Sequence, residues 1–352
     1  MSINRRNFLK LTGMTPFILG GATIQAQQEN SKLSITDLPK LRTPIQEIYP
    51  ADFDGEIYVS GGFVTSTSPI FYGLSPSKNT RIFSPQYNVW KNGPELPEAR
   101  HHLGMASNSK YLYGLGGFYG EKGNAWQVQD TVYQLSRDSR QWVSAPKLPQ
   151  PMAESVYATI QENIHLLGGK SPNTPSSNTD TDRHFLLINN RHWESAAPAS
   201  IKRNSAAGTA IDNRIYVIGG RQSNRSGYKA RNLSFAEAYD PSLDKWEPIR
   251  PLPQALAGLT AAPLNGSIIV TGGEKFGPLG NWKTGTAFST IWIYNPISDQ
   301  WSTGGHMREA RHGHGAVSIG SNLYIIGGAG KVGPQNTLAS VVKLHWESKP
   351  AP

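Results

Sequence analysis

The 352-residue chain has no cysteine, and that absence removes disulfides, thiolate zinc sites, cysteine nucleophiles and lipid-anchor cysteines together. It also lacks a long apolar run. The nearest candidate, residues 11–24, is diluted by Thr and Gly and is too short and too polar to span a bilayer. Charge is sparse: 17% of residues are Asp, Glu, Lys or Arg, and the formal balance of +9 falls to +6 once Arg5, Arg6 and Lys10 are set aside. So small a surplus suits anionic partners mildly and is far from a nucleic-acid signature, so neither a nucleic-acid partner nor a membrane span is expected. No polar residue type forms a long run. Instead 36 Gly and 25 Pro are spread along the chain, as in a protein of many short strands joined by turns.

What is present is a period. Gly55-Glu56-Ile57-Tyr58-Val59-Ser60-Gly61-Gly62 is a turn, a short apolar strand and a glycine pair, and the pair returns at 116, 168, 219, 272 and 327. A second marker keeps step: Trp90, Trp142, Trp193, Trp246 and Trp301. Two independent markers in register define a repeat of roughly fifty residues. Each unit reads as four strands. The first follows an arginine position, the second ends in the glycine pair, the third carries an aromatic such as Phe83, Tyr133, Tyr239 or Tyr294, and the fourth starts at the Trp. Links one-to-two carry tight-turn residues (Asp54-Gly55, Asp212-Asn213, Asn265-Gly266), whereas links two-to-three are long in every unit. A meander of this kind gathers the long links on one face, and function is expected there.

The two ends complement each other. From Lys32 the chain reads as the end of a repeat, with Leu38 to Arg42 resembling Leu96 to Arg100, while Val341 to Leu344 stop before any matching outer strand. The expectation is an all-β disc whose last unit is closed by the N-terminal strand, leaving no sheet edge unpaired. Ahead of it, Asn4-Arg5-Arg6-Asn7-Phe8-Leu9-Lys10 and the modestly apolar stretch to Ile24 resemble a bacterial twin-arginine export signal. The division is therefore 1–26 signal, 27–31 linker, 32–347 repeat domain and 348–352 tail, with a periplasmic or secreted location and a monomeric state expected.

Glycine pair, preceding aromatic, Trp and period together resemble the kelch repeat, over about Lys32 to Glu347. The third repeat departs most, with Leu186 to Ile188 where an aromatic is usual. The resemblance implies a six-bladed β-propeller of four-stranded blades. In it, Arg42, Arg100, Arg203 and Arg311 would sit at one equivalent place around the channel mouth. The second and fifth repeats put Met152 with Glu154, and Leu256 with Ala257, at that place. A broken guanidinium circle suits one oriented anionic ligand. Arg221, Arg225, Lys229 and Arg231 with Tyr228, then Trp126 and Trp282 in neighbouring loops, add cations and stacking surfaces, and His102 and His314 stand beside two of the arginines. These fit an acidic saccharide or other anionic small molecule, or equally an acidic protein surface.

His312 and His314 have a spacing that could serve a metal, but no third ligand stands in register, and Asp180-Thr181-Asp182 lacks the glycine and closing acid of a calcium loop. No metal or cofactor is expected. Among exported bacterial kelch propellers, the N-acetylneuraminate epimerases (sialic-acid mutarotases) are similar in blade number and compartment. That similarity points to Glu274, after Gly272-Gly273, as acid/base, with Glu154 as the other acid to test. It departs at Gly280, where that family carries an arginine. Galactose oxidase is also kelch-like, but its copper-radical site needs a Tyr–Cys crosslink that a chain without Cys cannot form. Three readings stay open: an exported propeller that binds an acidic saccharide on its loop face, the same propeller acting as a sugar mutarotase or epimerase, and a non-enzymatic protein-interaction scaffold.

Overall fold

A computed structural model describes residues 33–174, 177–223 and 230–346. The leader and linker, Lys32, Arg225, Tyr228, Lys229 and the C-terminal tail lie outside them. Apart from two single 3-10 turns, Pro278–Gly280 and Trp282–Thr284, the regular structure of the described residues is all strand. Six four-stranded antiparallel meanders follow the sequence period. The first runs Ala51–Phe53, Glu56–Ser60, Thr80–Ser84, Val89–Asn92. The sixth runs Gly315–Ile319, Asn322–Ile326, Val341–Trp346, and takes its outermost strand from Leu33–Leu38, with Leu33 opposite Trp346 and Leu38 opposite Val341. This is a six-bladed β-propeller in which the N-terminal strand completes the last blade.

Alternation along each strand turns one set of side chains to each face, and both faces are used. Six buried apolar clusters form, each between consecutive blades; Ile57, Val59 and Phe83 of the first blade meet Val317, Tyr324 and Ile326 of the sixth. A blade that buries both faces leaves only its outer edge to water, so apolar area holds the disc together.

The glycine pairs are the joints. The second glycine of a pair donates its N–H to the carbonyl at the arginine position of the next repeat: Gly117 to Met152 (3.0 Å), Gly169 to Arg203 (2.7 Å), Gly220 to Leu256 (2.8 Å), Gly273 to Arg311 (2.9 Å) and Gly328 to Ile45 (2.8 Å). A Cβ on the first glycine would lie 2.2 to 3.3 Å from that carbonyl oxygen, and every pair has positive φ, so a side chain there would be strained and, in most repeats, would clash. The tryptophans make a second joint at the rim. Each indole N–H donates to a main-chain carbonyl about one period upstream, as Trp90 does to Pro39 (2.9 Å), Trp142 to Pro94 (3.0 Å) and Trp301 to Arg250 (2.9 Å).

The same bonds correct the reading of the first repeat. Ile45, not Arg42, is equivalent to Arg100, because Gly328 meets Ile45 as Gly117 meets Met152. Leu41 rather than Leu38 matches Leu96: it is 4% exposed and bonds through its N–H to Ala339 O, as Leu96 does to Lys78 O. Two leucines stand three residues apart, and it is Leu41, not Leu38, that fills the buried place. The long links differ too. Five begin as two-stranded ribbons standing on the disc, such as Phe118–Glu121 with Asn124–Val128. In the fifth blade the second strand itself extends to Lys275 and pairs with Thr286–Ala287.

Arg203 is 2% exposed, pairs with the fully buried Glu237, and donates to the carbonyls of Gly219 (3.2 Å) and Phe235 (3.0 Å). Arg203→Met should therefore destabilise the protein by about 3–5 kcal/mol in denaturant unfolding, since it strands a buried carboxylate, and adding Glu237→Gln should recover part of the loss. A cost below about 1 kcal/mol would contradict this role.

Candidate functional site

One residue per repeat, two after the arginine position, lines the channel mouth: Glu47, His102, Glu154, Ser205, Gly258 and Gly313. All six have positive φ, from 49° to 63°. Their main chains are linked blade to blade. Glu47 N–H donates to Gly313 O (2.6 Å), His102 to Glu47 (3.1 Å), Ser205 to Glu154 (3.2 Å), Gly258 to Ser205 (2.9 Å) and Gly313 to Gly258 (2.9 Å); the step from His102 to Glu154 carries no such bond. The left-handed conformation turns each amide toward the previous blade and each side chain toward the axis. Four polar side chains thus converge on one side, and two glycines leave space on the other. A Cβ at Gly313 would lie 2.6 Å from the Glu47 carboxylate, and one at Gly258 would lie 3.5 Å from Cγ of Glu274.

A second circle sits just above, formed by the residue after each glycine pair: Phe63, Phe118, Lys170, Arg221, Glu274 and Ala329. Each is bridged to the residue that follows the arginine position of its own repeat, from Gln46 with Phe63 and His101 with Phe118 to His312 with Ala329. Here lie the charges. Arg221 Nη2 reaches Glu274 Oε1 (2.6 Å) and its guanidinium stacks 3.9 Å over Phe276. Glu274 Oε2 accepts from Gly333 N–H (3.2 Å) and lies 3.5 Å from His312 Nε2. His312 Nε2 bonds Lys331 O at 2.9 Å, which fixes a proton there and turns Nδ1 toward Glu47 Oε1, 3.7 Å away. The other Glu47 oxygen is 2.9 Å from His102 Nε2. Glu154 accepts from Ser205 Oγ (2.7 Å).

Burial alone would raise the Glu47 carboxyl, but His102, then His312 and His101, bring it down to about 2. Burial would lower His102, but Glu47 in contact, with Glu154 and Glu274 farther off, raises it above its ordinary 6.5. His101 and His314 are held well below 6.5, first by burial and then by adjacent His and Arg charges.

These groups open on a cavity of about 390 Å³ running from the ribbons into the channel. Its upper wall is aromatic: Phe63, Phe71, Trp126, Phe276 and Trp282. Phe71 and Trp126 meet edge to face at 5.3 Å, and Tyr72 of the first ribbon meets Trp282 of the fifth-blade loop at 5.5 Å. The ribbons are stitched to one another: Asn178 Nδ2 donates to Trp126 O (3.0 Å), Lys170 Nζ to Ser223 Oγ (2.7 Å) and Asn232 Nδ2 to Glu274 O (2.5 Å).

Of the residues singled out from sequence, Glu154, Glu274, His102, His314, Arg221, Trp126 and Trp282 line this cavity. The arginine circle does not. Arg42 is exposed and out of register, and Arg100, Arg203 and Arg311 are 0 to 2% exposed. Arg311 bonds Gly327 O (3.0 Å), Ser340 Oγ (3.0 Å) and Glu309 (3.1 Å), and Arg100 bonds Thr131 Oγ1 (3.0 Å) and Glu98 (2.5 Å). Each serves its own blade, because a guanidinium there can satisfy carbonyls that the strand ends leave open. Arg225 and Tyr228 fall outside the described residues. Glu47, Ser205 and the aromatics Phe63 and Phe71 were missed; aligning Glu47 with His102 and Glu154 by the glycine-pair period would have found it. His314 Nε2 bonds Thr271 Oγ1 (2.9 Å) and does not share a ligand site with His312. Among the described residues no group of three or more His, Cys, Asp or Glu side chains is placed to hold a metal, and no helix is long and apolar enough to cross a membrane.

Residues 57–332 match the model of the Attractin/LZTR1 β-propeller family. The chain belongs to that family. It is similar to Kelch-like protein 40 of Xenopus laevis, 25% identical over 242 residues that cover 67% of this chain and 37% of that protein. It is also similar to human Kelch-like protein 23, 21% identical over 271 residues, 75% of this chain and 42% of that one. The chain thus spans less than half the length of these relatives. The solved structure of YjhT superimposes with a TM-score of 0.73 at 16% identity, covering 88% of this chain and 99% of that one, a likeness of fold. The kelch reading of the repeats agrees with all of these, and the Attractin/LZTR1-type propeller supplies the frame on which the cavity residues stand.

Gly313→Ala tests how that frame shapes the site. It should cost about 1–2 kcal/mol in urea unfolding, because Ala is strained at φ 54°, and should displace the Glu47 carboxylate in a crystal structure of the variant. Glu47 left in place beside an unstrained alanine methyl in that structure would contradict the packing described.

Proposed function

We propose that the protein binds a saccharide in the cavity on the ribbon face and moves protons on it, the chemistry of a sugar mutarotase or epimerase. The observation that carries the reading is the convergence of three carboxylates, Glu47, Glu154 and Glu274, with His102 and His312 beneath an aromatic wall. Carboxylates and imidazoles bond sugar hydroxyls, aromatic faces cover the C–H faces of a pyranose, and water is excluded as the cavity fills. In mutarotation one group takes the proton of the anomeric hydroxyl while another protonates the ring oxygen. The bond from the anomeric carbon to that oxygen breaks, the open-chain aldehyde turns, and reclosure returns both protons. Glu274 and Glu154, on opposite neighbours of the Ser205 position, are the pair for these transfers.

The case for an acid group on the ligand weakens. It rested on the arginine circle and on the cations of the aromatic loops, but Arg100, Arg203 and Arg311 bond their own blades, Arg221 faces Glu274, and Arg225 and Lys229 lie outside the described residues. The ligand is therefore taken to be a hydroxyl-rich reducing sugar, with a carboxylate not required. Export rests on the Arg5-Arg6 leader pattern alone.

A protein-binding role has one observation of its own, the exposure of Tyr72 (65%) and Leu279 (80%) at the rim of the same face. Exchange NMR between anomers decides, using neutral and carboxylated reducing sugars. The enzyme reading predicts exchange above the buffer rate, reduced about 10²–10⁴-fold in Glu274→Gln or Glu154→Gln. No acceleration with any sugar, or full rates in both variants, would overturn it, and a scaffold predicts the former.

A further inference from the structure

The described residues contain two histidine pairs, and they carry different numbers of protons. In the interblade pair, His184 Nδ1 faces Ala197 O (3.3 Å) and its Nε2 faces His165 Nδ1 (2.9 Å). One proton per ring satisfies both contacts, so this pair is neutral; burial accordingly lowers His165 to about 4 and His184 to about 3.

The pair at the channel mouth cannot be neutral in the same way. His101 Nε2 faces Ala125 O (2.7 Å), and a carbonyl only accepts, so a proton sits there. His101 Nδ1 faces His102 Nδ1 (2.7 Å), and one proton must lie between them. His102 Nε2 faces Glu47 Oε2 (2.9 Å), which needs a third. Three protons on two imidazoles make one positive charge, whichever ring formally holds the middle one. Moving the third proton to Glu47 would require a carboxylate more basic than an imidazole, the reverse of their ordinary order. Burial disfavours charge on His101, with Arg100 a small addition, while the Glu47 carboxylate in contact with His102 favours it there. His101 itself cannot turn away. It is fully buried and sandwiched between Phe63 (3.9 Å) and Phe118 (5.0 Å).

We propose that His101 is a positioning residue that holds His102 as an imidazolium and Glu47 as a carboxylate, giving the cavity a fixed hydrogen-bond acceptor for a ligand hydroxyl. Glu47 then accepts but does not donate, and proton traffic falls to Glu154, Glu274 and His312. The consequence for the ligand rests on the saccharide reading above; the charge state does not.

The groups facing His102 are Glu47, His101, Glu154 and Glu274, with Arg100 and His312 beyond. Because the His102 pKa is raised, its stabilisation is complete below about 6.5 and is lost as pH rises past the folded value. Glu47 is lowered to about 2, so its part is complete above about 4.5 and is lost as pH falls toward 2. The pair therefore contributes fully only between those limits.

The test is nitrogen NMR of the histidines in the ligand-free full chain, with His101→Phe and His101→Gln. Phe keeps the stacking and removes the acceptor; the Gln amide can donate to Ala125 O and accept from His102. Both His102 nitrogens should report as protonated at pH 7, His101→Phe should lower the His102 midpoint by about one pH unit or more, and His101→Gln should restore most of it. A wild-type His102 that carries one proton at pH 7, or a midpoint unmoved in His101→Phe, would overturn the proposal. These shifts are read without sugar, so an inactive sugar assay leaves them intact.

Discussion

The circle of main-chain hydrogen bonds through Glu47, His102, Ser205, Gly258 and Gly313 is the constraint on which the site depends. Apolar packing between blades would tolerate small rotations of one blade against the next, whereas an amide bonded to the preceding blade's carbonyl fixes both at the axis. The geometry demands a left-handed residue at each step, and four of the six are not glycine. Such residues cost of order 1 kcal/mol each and persist only where their surroundings determine them. Here the strain aims four polar side chains at one point.

The second consequence is asymmetry. A six-fold frame built from equivalent residues would give six-fold chemistry, yet the first circle carries two carboxylates, a histidine and a hydroxyl on one arc and two glycines on the other, and the second runs through two phenylalanines, Lys170, Arg221, Glu274 and Ala329. Gly313 matters through its emptiness, since the Glu47 carboxylate occupies space that a Cβ there would contest. Charges are paired locally: Arg221 with Glu274, His102 with Glu47, Lys170 with Asp180. The formal surplus of +9 in the sequence is thus not concentrated in the described part of the cavity.

The frame was legible in the sequence because one residue type does one job in every repeat. Glycine pairs recur since each accepts an inter-blade carbonyl at contact distance, and the tryptophans recur since each caps a carbonyl of the preceding unit. The arginines recur for the same kind of reason, and there repetition misled. Their recurrence suggested a ligand-binding circle, whereas the structure buries Arg100, Arg203 and Arg311 against their own blades. Glu274 was singled out by its resemblance to the epimerase pattern and Glu154 where the second repeat departs from the arginine position, and both line the cavity. Glu47 was hidden by a three-residue slip that put Arg42 in the place of Ile45. The ribbons and their aromatic contacts, Phe71 with Trp126 and Tyr72 with Trp282, follow from packing across blades that no single repeat records.

Amide hydrogen exchange at Glu47, His102, Ser205, Gly258 and Gly313 tests the central claim most directly. These N–H groups border a cavity open to water, so only their inter-blade bonds can protect them. The account predicts exchange as slow as the slowest core strands, through global unfolding alone. Exchange at these five amides within about tenfold of the unfolded-chain rate would show that the circle does not hold the blades, and the placement of the site would lose its foundation.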